Sequence, residues 1–154
     1  MITREALNMA VGPLVDSALV SAGIPAERRK SDDPAPIDRR SIQIELSELK
    51  IDPMGDMRQI TQSVTVYFFP EDAEQYRDEV WTAANAIEAA LIAPLIVDGV
   101  AIRCDDEGVL IDMTSEVMEI RFNLTWFEIA IYDEDYELID TLEEELNYGT
   151  TSRN

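Results

Sequence analysis

The residues able to do chemistry in this chain are almost all carboxylates. Asp and Glu together number 32 against 12 Lys and Arg, with no histidine and one cysteine, Cys104. The absence of histidine removes the commonest general base, the Ser-His and Cys-His nucleophile pairs, and imidazole zinc sites. The densest acidic group is Asp105-Asp106-Glu107-Gly108. Calcium loops space oxygen ligands at alternating positions over about a dozen residues with a distal Glu. Here the acids are consecutive and no such frame continues, so a solvated β-turn is the better reading. With so many acids, carboxylate pairs suited to acid–base work arise by chance and point to no site. Cys104 beside Asp105 and Asp106 has its thiol disfavoured as a thiolate, and no base stands near to activate it. The six glycines are dispersed and make no phosphate loop. No catalytic, metal or cofactor residue is expected, and the chain reads as a non-enzyme.

Charge restricts partners further. The formal net charge is −20 over 154 residues, so the bulk surface repels a nucleic-acid backbone. Only Lys30 and Lys50 are lysines, a composition that fits a protein working in high salt, where self-repulsion is screened. Against that background the basic run Arg28-Arg29-Lys30, with Arg39 and Arg40, stands out as a contact for an acidic partner or a second copy of the chain. The alternative is a solvated loop balanced by Asp32, Asp33 and Asp38. Phe69, Trp126 and Phe127 are the aromatic candidates for a partner surface. No apolar run approaches the ~20 residues that span a bilayer, so no membrane role is expected.

The elements that carry these residues follow from periodicity. Leu7, Val11, Leu14, Ala18 and Leu19 make one helical face after Thr3 as N-cap, with Pro13 inside and Gly23 and Pro25 as a stop. Residues 25–40 read as a long charged loop with one short extended piece. Ile42, Ile44 and Leu46 alternate as a strand, and a phase shift to Leu49 and Ile51 predicts a bulge. A loop from Asp52 to Arg58 joins it to a second strand with Ile60, Val64, Val66 and Phe68 on one face. Asp72 and Gln75 suggest a capping box for a second helix with Tyr76, Val80, Ala83, Ala84, Ile87 and Leu91 in one stripe. Asp98-Gly99 predicts a tight hairpin. A strand at 109–111 and a long one through Met118, Ile120, Phe122, Leu124 and Trp126 follow. The expected core includes Leu7, Val11, Val64, Val66, Val80, Ile87, Ile120, Phe122 and Leu124. The expected fold is α+β: one mainly antiparallel sheet with two helices on one face. The domain spans 1–132, and an acidic C-terminal extension, 133–154, carries an amphipathic stretch at Leu138, Ile139, Leu142 and Leu146.

The segments RRSIQIELSEL, IDPMGDM, QSVTVYFFP, EDAEQYRDEVWTAANAIEAAL, IVDGVAIR and MEIRFNLTWFEI, in that order, resemble the tail terminator (tail completion) proteins of tailed phages, whose fold is similar to the lambda-type terminator. The resemblance covers about residues 1–132 and carries no active-site motif. It implies a structural virion protein at the head-proximal end of the tail, assembled in the host cytoplasm. A homohexameric ring would cap the tail tube, stop its polymerisation and join it to head-completion or neck proteins, with the sheath as a further neighbour if the tail is contractile. DNA would pass through the lumen without specific binding. The rivals are another tail or neck protein (a tube subunit or head–tail adaptor) and an acidic inhibitor that mimics DNA. In a ring, the basic run from Arg28 to Lys30 with Arg39 and Arg40 would face an acidic turn such as Asp105–Glu107 on the next copy. Phe69, Trp126 and Phe127 would supply an apolar centre or the tube contact.

Overall fold

A computed structural model describes residues 1–30, 40–72, 74, 76–113 and 117–129. Helix α1 (Arg4–Ser21) opens on Thr3, whose hydroxyl accepts from Ala6 N–H at 3.1 Å. It runs through Pro13 and ends on a Schellman motif: Gly23 at φ +77° lets Ile24 N–H reach Leu19 O and its own N–H reach Val20 O. A three-residue strand, β1 (Glu27–Arg29), is the extended piece expected within the charged loop. The longest strands follow, β2 (Ser41–Met54) and β3 (Met57–Phe69). Then come α2 (Arg77–Ala90), β4 (Leu95–Val97), β5 (Val100–Cys104), β6 (Leu110–Met113) and β7 (Met118–Ile129).

The sheet order is β1-β2-β3-β7-β5-β4, with β6 also on β7. Every pair is antiparallel except β1 with β2. The architecture is therefore α+β with a mainly antiparallel sheet, as expected, made mixed by the parallel pairing of β1 with β2. The last strand of the series, β7, lies at its centre. One edge of β7 pairs with β3 along its whole length, and the other is shared by β5 and β6.

The core forms where alternation meets helix. Ile60, Val64, Val66 and Phe68 of β3 and Met118, Ile120, Phe122, Leu124 and Trp126 of β7 are buried with Leu7, Val11, Val15 and Leu19 of α1 and Val80, Ala83, Ala84 and Ile87 of α2. All nine core residues expected from sequence are among them. The opposite sheet face, with Thr61, Ser63, Thr65 and Tyr67, stays half-exposed. Its polar side chains pair across strands, as Gln59 with Thr125 and Ser63 with Asn123 do.

Two local expectations are corrected. The connection between β2 and β3 is not a 52–58 loop but a turn at Gly55-Asp56, with Asp52 and Pro53 paired to Gln59 and Arg58. Beyond Gln43 the outer side of β2 pairs with no described strand, so Pro53 can sit there without a missing donor mattering. Helix α2 starts at Arg77 with Tyr76 as an N-cap lacking a side-chain bond. Asp72 instead accepts from Glu74 N–H at 2.8 Å; Gln75 lies outside the described residues. The expected bulge is present between Leu46 and Leu49. The buried Gln62 amide satisfies the carbonyl of Glu48 there, at 3.2 Å.

Candidate functional site

The basic run is divided between two roles. Arg40 has a positive φ of 28°, uncommon for a side chain of its size. Its guanidinium is clamped by Glu79 at 2.6 Å and Glu71 at 2.7 Å. The Glu79 hydrogen bond is the main reason its pKa rises further above its ordinary value, against the opposing effect of burial. Arg40 thus fastens the start of β2 to the first turn of α2. Arg39 lies outside the described residues.

Arg28 does something the sequence did not reveal. Its guanidinium lies across the backbone of α1 at Gly12, where an added Cβ would sit 1.8 Å from Nη1. Its Nε meets Asp16 Oδ2 at 3.2 Å. Glycine is therefore required at position 12 if the arginine is to lie flat on the helix. The spacing of 16 residues between Gly12 and Arg28 carries no periodic signal. Between α1 and the β1–β2 edge runs a groove of about 920 Å³ lined by Arg4, Arg28, Arg29 and Lys30, by Glu5 and Asn8, and by Met9, Pro13 and Ile44. Four of the chain's 12 cations meet there.

The acidic turn is a turn. Asp105 Oδ1 accepts from Glu107 N–H at 3.2 Å, Gly108 N–H donates to Asp105 O, and Gly108 takes φ +75°. Asn123 Nδ2 donates to Asp105 Oδ2 and to Glu107 Oε2. The turn fills the gap where the register on β7 slips between β5 and β6. Asp106 and Glu107 remain exposed. Burial, with Asp105 adding to it, pushes the Cys104 thiol up, away from a reactive thiolate. Among the described residues no group of three or more Cys, Asp or Glu is arranged to hold a metal ion.

The three aromatics separate cleanly. Trp126 is 3 % exposed and belongs to the core, a correction to its place among the partner contacts. Its indole N–H donates to Glu128 Oε1 at 3.0 Å. Phe69 is half-buried at the end of β3, opposite Ser41. Phe127 is 51 % exposed. It has company that sequence reading missed. Register places Met54 opposite Met57 and Met57 opposite Ile129, so these three share the uncovered face with Phe127. All four are exposed. The signal was present in the phase of the bulge, which needed the true turn position before it could be followed to Met54.

Glu128 is the polar hub beside this patch. Burial raises its carboxyl pKa, but hydrogen bonds from Ile2 N–H, Trp126 Nε1 and Arg58, with the N-terminal ammonium, outweigh that and hold it below the ordinary carboxylate value. Ile2 donates at 3.0 Å and Arg58 Nη2 at 2.9 Å. The N-terminus of α1 is thereby pinned to β3 and β7 together.

Residues 27–147 match the family model described as phage tail terminator protein. The match runs past Tyr132, where the acidic extension was expected to begin. A solved chain from the virion of a native gene transfer agent (GTA) particle has a TM-score of 0.48 and 12 % identity, with 79 % of this chain and 92 % of that chain covered. No curated protein matches the chain in sequence.

Proposed function

The chain belongs to the phage tail terminator family, and from that membership we propose that it forms a closed ring, six-fold by resemblance, at the head-proximal end of the tail tube. The ring stops tube polymerisation and presents its other side to head-completion or neck proteins. The observation that carries this reading is the family match over residues 27–147. The fold supports it with surfaces suited to neighbours, and the described residues supply no catalytic constellation.

A ring needs a heterologous interface, one patch meeting a different patch on the next copy. Phe127 with Met54, Met57 and Ile129 supplies an apolar centre, and the exposed Asp106 and Glu107 a charged rim. Arg28 and Arg40 are each paired with carboxylates of their own chain, and the buried Trp126 takes no part in this interface. Exposed charge pairs contribute only about 0–1 kcal/mol each, so the apolar centre is the stabilising part. With a net charge of −20, carboxylates at the lumen would repel phosphates and let DNA slide without sticking.

Imaging of assembled particles tests the reading. One ring of this chain is expected between tail tube and head. Rings stacked along the tail would make it a tube subunit. A single copy would leave no terminator ring. A stable monomer bound to a basic host protein, absent from particles, would favour the DNA-mimic alternative.

A further inference from the structure

Strands β2, β3, β7 and β6 form a continuous antiparallel run with an open edge on each side. Beyond Gln43 the outer side of β2 pairs with no described strand, and β6 pairs with β7 alone among them. Each edge is thus a row of main-chain N–H and C=O groups with no described strand to meet it. On β2 the bulge between Leu46 and Leu49 bounds the regular stretch on one side. Pro53, which has no N–H to give, bounds it on the other. What remains, Leu49 to Asp52, matches the 4 residues of β6, Leu110–Met113.

The side chains on the two edges are complementary. Leu49, Ile51, Ile111 and Met113 are all exposed. Register places Leu49 and Ile51 opposite Gln62 and Ile60, and Ile111 and Met113 opposite Ile120 and Met118. Those four partners are buried, so the four exposed residues continue the core face of the sheet past its edges. Between them, on the uncovered face, stand Lys50 on β2 and Asp112 on β6. Each edge therefore reads apolar, charged, apolar, and the charges are opposite. Lys50 already meets Asp52 of its own strand at 3.0 Å, with both side chains well exposed, so its ammonium is open to a second carboxylate.

Direction agrees with chemistry. Three antiparallel steps separate β2 from β6, so the two run in opposite senses. A second copy, rotated about an axis along the strands, brings its β6 antiparallel to this β2, and the contact joins two different patches, as a ring requires. We propose that β6 of one copy adds to β2 of the next as an antiparallel strand, with Met113 opposite Leu49, Asp112 opposite Lys50 and Ile111 opposite Ile51. The apolar pairs cover each other on one face, and the ion pair sets register and partner on the other. The contact lies on the same hairpin as Met54 and Met57 and extends the interface proposed above. It rests on the ring reading for closure, and on the two edges alone for the pairing of strands.

The test is made on assembled particles carrying the full chain. Cys104→Ser removes the native thiol, and Leu49→Cys with Met113→Cys places one thiol on each edge. Mild oxidation is expected to give a ladder of covalent multimers. The linked fraction should be at least about tenfold above that of a control, Leu49→Cys with the exposed Ile92→Cys, because strand pairing raises the effective concentration of the facing thiols. Leu49→Cys alone should stay monomeric, and a dimer from it would mean that β2 meets β2 and overturn the proposal. Because a cysteine variant can misfold, a second measurement uses the unsubstituted chain. Carbodiimide should join Lys50 to Asp112 in covalent multimers, since three strand spacings, about 14 Å, separate the two strands within one sheet. Lys50→Glu and Asp112→Lys should each lower the number of particles with a ring several-fold, and the two together should restore it. Loss without restoration would overturn the ion pair and its register. Rings without the ladder and the amide link would overturn the strand pairing and leave the ring reading intact. Links along stacked copies without a terminal ring would uphold the pairing and overturn the ring. Absence of both would overturn both.

Discussion

The β2–β3 hairpin has two halves that look alike in sequence and end in opposite environments. From Ser41 to Leu46, paired with Val64–Phe69, its inward side chains lie under the two helices, and Ile42, Val64, Val66 and Phe68 are essentially inaccessible. From Leu49 to Met54, paired with Met57–Gln62, the strands run on past the bulge, and Leu49, Ile51, Met54 and Met57 are exposed. Both halves are rich in large apolar residues. In the second half Ile60 is still fully buried, Leu49 and Ile51 on its side of the hairpin are exposed, and Met54 and Met57 lie on the opposite, uncovered face. Apolar content therefore does not decide burial here; the face a residue takes, and how far along the strand the core reaches, does. An exposed cluster kept apolar on an otherwise highly charged molecule is the kind of surface that meets another protein.

The strongest expected contrast between the two regions is in stability. Leu124→Ala, beneath the helices, should cost about 2–5 kcal/mol in urea unfolding, through lost transfer energy and a residual cavity. A loss under ~0.5 kcal/mol, the range of ordinary surface substitutions, would mean that β7 presents its other face to the core.

Next in size is the hub that joins the regions. Glu128→Gln should cost about 1.5–3 kcal/mol near neutral pH, since it weakens hydrogen bonds made to a charged acceptor. The sign of the pH dependence follows from the lowered native pKa. The stabilisation is fully present above the unfolded value, near 4.5, and is lost as pH falls through the lower native value. The substituted chain should lack that part of the acid-side decline, and identical acid limbs in the two proteins would refute the role given to Glu128.

A smaller effect should come from salt. If the lysine-poor acidity reflects a saline habitat, screening of carboxylate repulsion should raise stability by about 1 kcal/mol, or ~2–4 °C in melting temperature, from low to molar salt. A flat profile would count against that origin.

Smallest of all is the expectation for the outer half. Phe127→Ser should change the stability of the free protein by less than ~0.5 kcal/mol while abolishing ring closure in assembled particles. Unfolding as severe as that of Leu124→Ala would show Phe127 to be core and remove it from the interface.

Much of this fold was readable before any coordinates. Val64, Val66 and Phe68, and Ile120, Phe122 and Leu124, alternate without interruption, and each pair of neighbours on a face confirms the next. Asp98-Gly99, with both residues at positive φ, is a turn dictated by local sterics. Trp126 falls in phase with Leu124, so its burial was legible; reading its bulk and position beside Phe127 as a surface feature overrode the alternation. What could not be read depends on residues brought together only by the fold. Gly12 makes room for Arg28, Glu71 and Glu79 grip Arg40, and Ile2 reaches Glu128 across almost the entire domain. Each is a pair without periodicity, and its physical cause, a close approach or a buried charge, exists only after packing. The acidic extension lies outside the described residues, as do Asp32, Asp33 and Asp38.

The central place of β7 has a consequence for how the molecule is made. On the ribosome, β2 and β3 emerge and can pair while β3's other edge, with Val64, Val66 and Phe68 flanking it, still awaits its partner. α1, synthesised first, cannot be pinned until Glu128 exists. The sheet thus completes only when nearly the whole domain has left the exit tunnel, and its pairings are of long sequence separation, which slows folding. Until then an unpaired apolar strand edge is presented to the crowded cell. A nascent chain stalled before Met118 should engage holding chaperones, and one stalled after Ile129 has cleared the tunnel should release them.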